Sequence, residues 1–489
     1  MTCAKSRARS IEGVAGVGIN AMTAINEGFG GAQPRARRRM LCAMLLVCGS
    51  SRPAFAAEPA TGAPAPLLPF LQLLGGDALA GARALAQLQA GWRDAYAALL
   101  IEAFAFVPDS TVRAGIARLL QEKTGRAFDG GLDGWYDWLW NRDIGEHPDY
   151  AEFKATLYEA IDPSFREYFA GRPRAQIRLD EIRWGGVHRD GIPPLVDPKT
   201  ISAREATWLA DEHIVFGVAL GGEARAYPKR ILAWHEMVRD TFGARAINGV
   251  YCTLCGTMIV YDPVVNGTHH VLGTSGFLYR SNKLMYDHAT KSLWNTIDGA
   301  PVVGSLVGQG IVLQALHVVT TTWGEWRRRH PETRVLSLET GHSRDYREGA
   351  AYRAYFASDR LMFGVPKLDN RLANKAEVLA VRAPGARAEP LAIAADFLAR
   401  QPVYHDRVGA TGFVVFTTAA GANRVYADTG VRFVRWDGVG RAVDSSGRTW
   451  RVDEAGLAGP DGQARARLPA HRAFWFGWVA QYPGTRLVK

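Results

Sequence analysis

Cysteine is scarce, with five in 489 residues, and Cys3, Cys42 and Cys48 fall within the first 56. The remainder carries only Cys252 and Cys255. Two cysteines three apart with no others exclude a disulfide framework and leave a small redox loop or part of a metal site. Outside the N-terminus no run of 18 clean apolar residues occurs, which excludes a polytopic helical membrane protein. A basic tract is also missing. The formal charge is +10, from 58 Lys and Arg against 48 Asp and Glu, but eight of the basic and two of the acidic residues precede Ala57. The remaining +4 is spread along the chain, so nucleic-acid binding lacks its electrostatic footprint. No Gly-x-Ser-x-Gly elbow, His-Glu-x-x-His pair or dinucleotide fingerprint is present.

What is present is a globular balance, 47% hydrophobic and 22% charged, enough to bury a large core. The N-terminus reads as a secretory leader over residues 1–56. The basic run Arg35-Ala36-Arg37-Arg38-Arg39 precedes the apolar stretch Met40 to Cys48 and the small-x-small site Ala54-Phe55-Ala56. The expectation is a periplasmic or secreted protein cleaved near Ala56, with no membrane span afterwards. An uncleaved anchor is the rival reading, and translation from Met22 would leave the leader intact.

The Pro/Ala stretch Pro59 to Pro69 leads into helical periodicity over Leu85–Leu100 and Ile116–Leu120, with a break at Val107-Pro108-Asp109-Ser110 and a further run at Tyr150–Ala160. Trp135, Tyr136, Trp138 and Trp140 read as packing between helices. From about Arg204 the period shortens to that of strands. Trp323-x-x-Trp326-x4-Pro331-x-Thr333-Arg334 recurs as Trp475-x-x-Trp478-x4-Pro483-x-Thr485-Arg486. Asp240-Thr241-Phe242-Gly243 and Asp406-Arg407-Val408-Gly409 echo each other, as do Ser292-Leu293-Trp294 and Arg448-Thr449-Trp450. Such ordered echoes predict two homologous halves. The expected architecture is α+β: a leader (1–56), a helical domain (57–172), a connector (173–204), a first β-rich half (205–340), a second connector (341–374) and a second, degenerate half (375–489).

Only the first half carries polar chemistry. Its Tyr251-Cys252-Thr253-Leu254-Cys255-Gly256 faces Phe416-Thr417-Thr418-Ala419-Ala420-Gly421 in the second. The flanks Ile247–Tyr251 and Met258–Tyr261 are strand-like, so the cysteines are expected in a hairpin rather than at the helix start used by thiol oxidoreductases. Such a knuckle suits zinc, iron or copper, with the missing ligands drawn from His, Met or carboxylate. His235 and Met285 are the candidate partners of Cys252 and Cys255, and a thiolate, imidazole and thioether set favours copper by softness. Only one of His269-His270 can face the knuckle, since adjacent strand residues point oppositely. Glu236 and Asp287 are candidate proton acceptors or supports of the ligands. Tyr251, Tyr279 and Tyr286 are candidate pocket-lining residues.

Ala233-Trp234-His235-Glu236, Tyr251 to Gly256, Ser275-Gly276-Phe277-Leu278-Tyr279, Leu284-Met285-Tyr286-Asp287, Ser292-Leu293-Trp294 and Thr322-Trp323 together resemble the bacterial domain-of-unknown-function family 3179, over about 205–489. The family usually has Pro after the first cysteine and Asn before the Asp of its Asn-Asp-Thr stretch, where this chain has Thr253 and Arg239. The resemblance names no reaction. It implies that His235, Glu236, Cys252, Cys255, Met285 and Asp287 belong to one recurrent motif set. Three functions follow as expectations: a metal-dependent redox protein acting on an unknown small-molecule or protein substrate, a metal-free thiol–disulfide protein, or a non-catalytic scaffold.

Overall fold

The computed structural model describes residues 66–126, 131–382, 388–428, 430–460, 462 and 464–489. The expected leader, with its cleavage site, and most of the Pro/Ala linker lie outside them. The class is α+β. The chain forms two compact units. One is helical and comprises the described residues to Pro173 with Ile177–Glu181 and Gly186–His188. The other is β-rich and comprises Arg174–Gln176, Ile182–Gly185 and Arg189–Lys489.

In the helical unit, helices span Ala78–Ala90, Tyr96–Phe104, Ser110–Thr124, Leu132–Trp140 and Tyr150–Glu159. Asp77 and Asp109 cap two of them by accepting backbone N–H bonds. The run expected as one helix over Leu85–Leu100 is two. Gly91 ends the first, and its N–H bonds Gln87 O. Glu102 is buried but satisfied, since Lys154 Nζ, Tyr150 Oη and Tyr158 Oη donate to it at 2.8, 2.7 and 2.5 Å. Trp135, Tyr136 and Trp140 are buried, as a packing role requires, and Trp140 Nε1 donates to Asp180 O. No helix among the described residues is long and apolar enough to cross a membrane.

The β-rich unit is organised by two sheets with the same topology. In the first, Val319–Thr322, Ile214–Leu220 and Glu223–Pro228 run antiparallel in that order, and Arg334–Leu336 adds in parallel to Glu223–Pro228. In the second, Ala470–Phe474, Glu377–Val381 and Leu391–Ala394 run antiparallel, and Arg486–Val488 adds in parallel to Leu391–Ala394. Helices Trp323–Arg329 and Trp475–Gln481 make the two crossovers. Each follows from its repeated tryptophan pair: Trp323, Trp326, Trp475 and Trp478 are all buried. Thr322 caps the first helix, accepting from Glu325 N. A short helix then leads from each sheet into a three-stranded meander: Lys229–His235 into Met237–Phe242, Arg245–Cys252 and Thr257–Asp262, and Ala395–Arg400 into Val403–Val408, Thr411–Thr417 and Asn423–Ala427.

One hydrophobic cluster joins the first meander to the second sheet and its crossover helix, with Met237, Val250, Ile259 and Trp294 against Val378, Ala380, Ala473, Trp475 and Trp478. Residues 205–340 and 375–489 therefore share this cluster, while Val215, Ala226, Val319 and Val335 of the first sheet pack in another and Leu379, Leu391, Phe413 and Val425 in a third.

Candidate functional site

The two cysteines lie where strand alternation and a glycine place them. Arg245–Cys252 pairs antiparallel with Thr257–Asp262, Cys252 facing Thr257. Four residues, 253–256, close the hairpin, and Gly256 takes φ +59° to return the chain. The hairpin expected from the flanking patterns is the one observed.

Both cysteines are free and buried, Cys252 at 1% exposure and Cys255 at 0%. They sit in an apolar cluster with Leu254, Leu278, Tyr355, Val365, Phe474 and Phe476. Several contacts fix the loop. Tyr355 Oη donates to Leu254 O at 2.7 Å, and Phe474 N donates to Cys255 O at 2.7 Å. Asn282 Nδ2 donates to Cys255 Sγ at 3.3 Å, and Ser281 O lies 3.4 Å from the same sulfur. Ser281 belongs to the tight turn Arg280-Ser281, where both residues hold positive φ, +48° and +61°, without being glycine.

The thiols are inequivalent. Burial works against ionisation of Cys252, but hydrogen bonds from the Cys255 thiol and from the backbone N–H groups of Lys283 and Cys255 outweigh it, so Cys252 lies below its ordinary value. Burial pushes Cys255 well up, and its donation to Cys252 adds to the effect. Cys252 is thus the more acidic thiol of the pair.

Beside them is a buried ion pair. Lys283 Nζ lies 2.9 Å from Glu236 Oε2 and donates to Thr274 Oγ1 at 2.9 Å. Thr253 Oγ1, between the cysteines in sequence, donates to Glu236 Oε1 at 2.9 Å, and Tyr352 Oη reaches the same oxygen at 3.4 Å. Glu236 ends helix Lys229–His235 in the left-handed region, φ +55°, a strained position for a residue with a Cβ.

The other expected ligands lie elsewhere. His235 is fully buried, with Nδ1 2.9 Å from Pro193 O and Nε2 2.5 Å from Tyr346 Oη. A carbonyl only accepts, so Nδ1 carries the proton and the Nε2 lone pair accepts from Tyr346. Burial lowers the His235 pKa to about 4, so the imidazole is neutral and both nitrogens are engaged. Met285 packs in the cluster of Met237, Val250 and Trp294, which does not include the thiols. Asp287 shapes its own turn: Oδ1 accepts from Ala289 N, Thr290 N and Thr290 Oγ1, and Oδ2 lies 3.1 Å from His270 Nδ1. His269 is exposed in strand Thr268–His269. Tyr286 Oη donates to Asp190. Among the described residues, no group of three or more His, Cys, Asp or Glu is placed to hold a metal ion.

The structure thus joins Cys252, Cys255 and Glu236 in one network and places His235, Met285 and Asp287 in others. It adds Lys283, Thr253, Asn282, Tyr352 and Tyr355, which the sequence reading did not single out. Lys283 left one signal: it is the only cation in the strand Asn282–Asp287, whose residues are all buried. Tyr352 and Tyr355 fall in the stretch read as connector.

These features define a β-rich protein whose buried dithiol hairpin is braced by a buried carboxylate–lysine pair. Residues 189–485 match the family described as "Protein of unknown function (DUF3179)", and the chain belongs to that family. The match begins sixteen residues before the span expected from the motifs and ends just before the last strand, Arg486–Val488. Searches of the curated proteins and of the solved structures find no match.

Proposed function

We propose that Cys252 and Cys255 form a dithiol/disulfide redox couple, with Cys252 as the attacking thiolate. The observation that supports this reading most is the asymmetry of the pair, in which the Lys283 and Cys255 N–H groups and the Cys255 thiol converge on Cys252. The oxidant is a small disulfide. Cys252 thiolate attacks one of its sulfurs, forming a mixed disulfide and expelling a thiolate. Cys255 then displaces the second thiol, its proton going to the leaving sulfur. The dithiol gives up two electrons, and the products are the Cys252–Cys255 disulfide and two small thiols. Glu236 is a positioning residue: it anchors the side chain of Lys283, whose backbone N–H faces Cys252.

The engagement of both His235 nitrogens makes the dithiol the better-supported reading than a copper, zinc or iron site using His235 and Met285. A leader of the kind read over residues 1–56 would deliver the protein to a compartment where such a couple can cycle. We further infer that the two sheets and their meanders descend from one duplicated unit, because strand order, direction and crossover helices coincide along with the repeated tryptophans.

The test is a redox titration of the full chain in glutathione buffers, with thiol counting after denaturation and elemental analysis of the same samples. Two thiols lost together at one midpoint, and no such transition in Cys252→Ser or Cys255→Ser, is the expected result. Near-stoichiometric metal in the wild type that disappears in Cys252→Ser would overturn the metal-free reading and restore the metal site. A pair that stays reduced under every buffer would overturn the redox role.

A further inference from the structure

A cavity of about 100 Å³ opens in the β-rich unit where the two sheets meet, lined by Lys229, Tyr251, Gly256, Thr320, Glu377, Arg472 and others. Its position is symmetric in the two sheets: Ile214 pairs with Thr322 in one, and Glu377 pairs with Phe474 in the other, and Ile214, Glu377 and Phe474 all line it. The chemistry on its wall is not symmetric. Arg472 is spent, donating to Glu377, Asn423 Oδ1 and Gly421 O, so its charge and that of Glu377 offset each other. Lys229 has no such partner. Among the described residues its ammonium forms no ion pair or hydrogen bond; it lies over the face of Phe356, 4.4 Å from the ring centroid, and feels Glu377 and Glu348 only at longer range. Tyr251 is 1% exposed, and its hydroxyl has no hydrogen-bond partner among the described residues. A buried hydroxyl left unpaired is unfavourable, so it marks a place where an acceptor belongs.

We propose that this cavity binds a small carboxylate, with Lys229 Nζ and Tyr251 Oη as its two donors. Two cations, Lys229 and Arg472, against the one carboxylate of Glu377 leave a net positive wall, and with the neutral Tyr251 donor it suits a monoanion that accepts hydrogen bonds. Size limits the ligand further. A cavity of roughly 150 Å³ holds benzene, so one of about 100 Å³ takes a carboxylate of two or three carbons and excludes an aromatic acid. The assignment does not depend on the redox reading, because its two donors, Lys229 and Tyr251, are not among the groups that hydrogen-bond the thiols.

The full chain, titrated with sodium acetate against sodium chloride at constant ionic strength, should show saturable binding by calorimetry and a rising thermal midpoint. Tyr251→Phe removes a hydroxyl that bonds nothing and should fold normally while weakening acetate at least tenfold. Lys229→Met should weaken it further. Formate should compete and benzoate should not, and Cys252→Ser should bind acetate as the wild type does. Equal acetate response in the wild type, Tyr251→Phe and Lys229→Met, or no response in the wild type, would overturn the site. Binding of benzoate as tight as that of acetate would overturn the size limit.

Discussion

Lys283 Nζ and Glu236 Oε2 face each other at 2.9 Å in the interior of the β-rich unit, where each residue is less than one-tenth exposed. Neither charge could stay there alone. The pair persists because Thr274, Thr253 and Tyr352 occupy their remaining hydrogen-bonding capacity.

Glu236→Gln should therefore destabilise the protein by about 3 kcal/mol, since it strands a buried lysine. Glu236→Gln combined with Lys283→Met should recover most of that loss. Urea unfolding of the two single variants and the double variant measures the coupling, and additive losses would show that the charges do not depend on each other.

Cys255→Ala removes the thiol donor from Cys252. The Cys252 thiolate should then form only at higher pH than in wild type. The pH dependence of the alkylation rate, or of thiolate absorbance, reads the shift, and an unchanged profile would remove the argument for shared protonation.

Gly256→Ala should disorder the hairpin and expose the thiols. Its φ is +59°, and an added Cβ would meet the Phe474 ring at 2.9 Å. Gly477→Ala presses on the pair from another side, with its Cβ 2.9 Å from Cys255 Cβ. Each should cost about 1–3 kcal/mol by overpacking. Thiol reactivity toward a neutral alkylating reagent should rise in Gly256→Ala, and a rate equal to wild type would show the loop tolerating the insertion.

Acid should weaken the fold through its neutral histidines. The His235 pKa falls from the ordinary 6.5 to about 4 on burial, and that of His317 likewise to about 4. Between those values the unfolded chain takes up protons that the folded one refuses, so stability falls as pH drops from about 6.5 to about 4 and levels off below. Full expression would amount to about 1.4 kcal/mol per pH unit for His235. His235→Gln should flatten the slope, as followed by unfolding free energy against pH.

The sequence made the hairpin legible because strand alternation and a turn glycine are local properties. Tyr251, Cys252 and Gly256 sit as their immediate neighbours require. The tryptophan spacing recurs for a similar local reason, since Trp323 and Trp326 fall on one face of a single helical turn and both are buried. Spacing did less well at Leu85–Leu100, where apolar periodicity runs through Gly91 although the helix does not.

His235, Met285 and Asp287 show the limit of that reading. A motif set says which residues recur together, not which way their side chains point. His235 reaches Tyr346, 111 positions on. Met285 turns into the core beneath Trp294, and Asp287 serves its own turn. By itself the sequence determined the α+β class, the family and the hairpin that carries the two cysteines. Those depend on contacts within a few residues and on repeats read in order. Only the tertiary structure decided that Lys283, not His235, stands beside the thiols, and that an unpartnered lysine and a tyrosine hydroxyl share a cavity between the sheets. Those residues lie 22 to 31 positions apart on different elements, and burial in a common core, not proximity in the chain, brings them together.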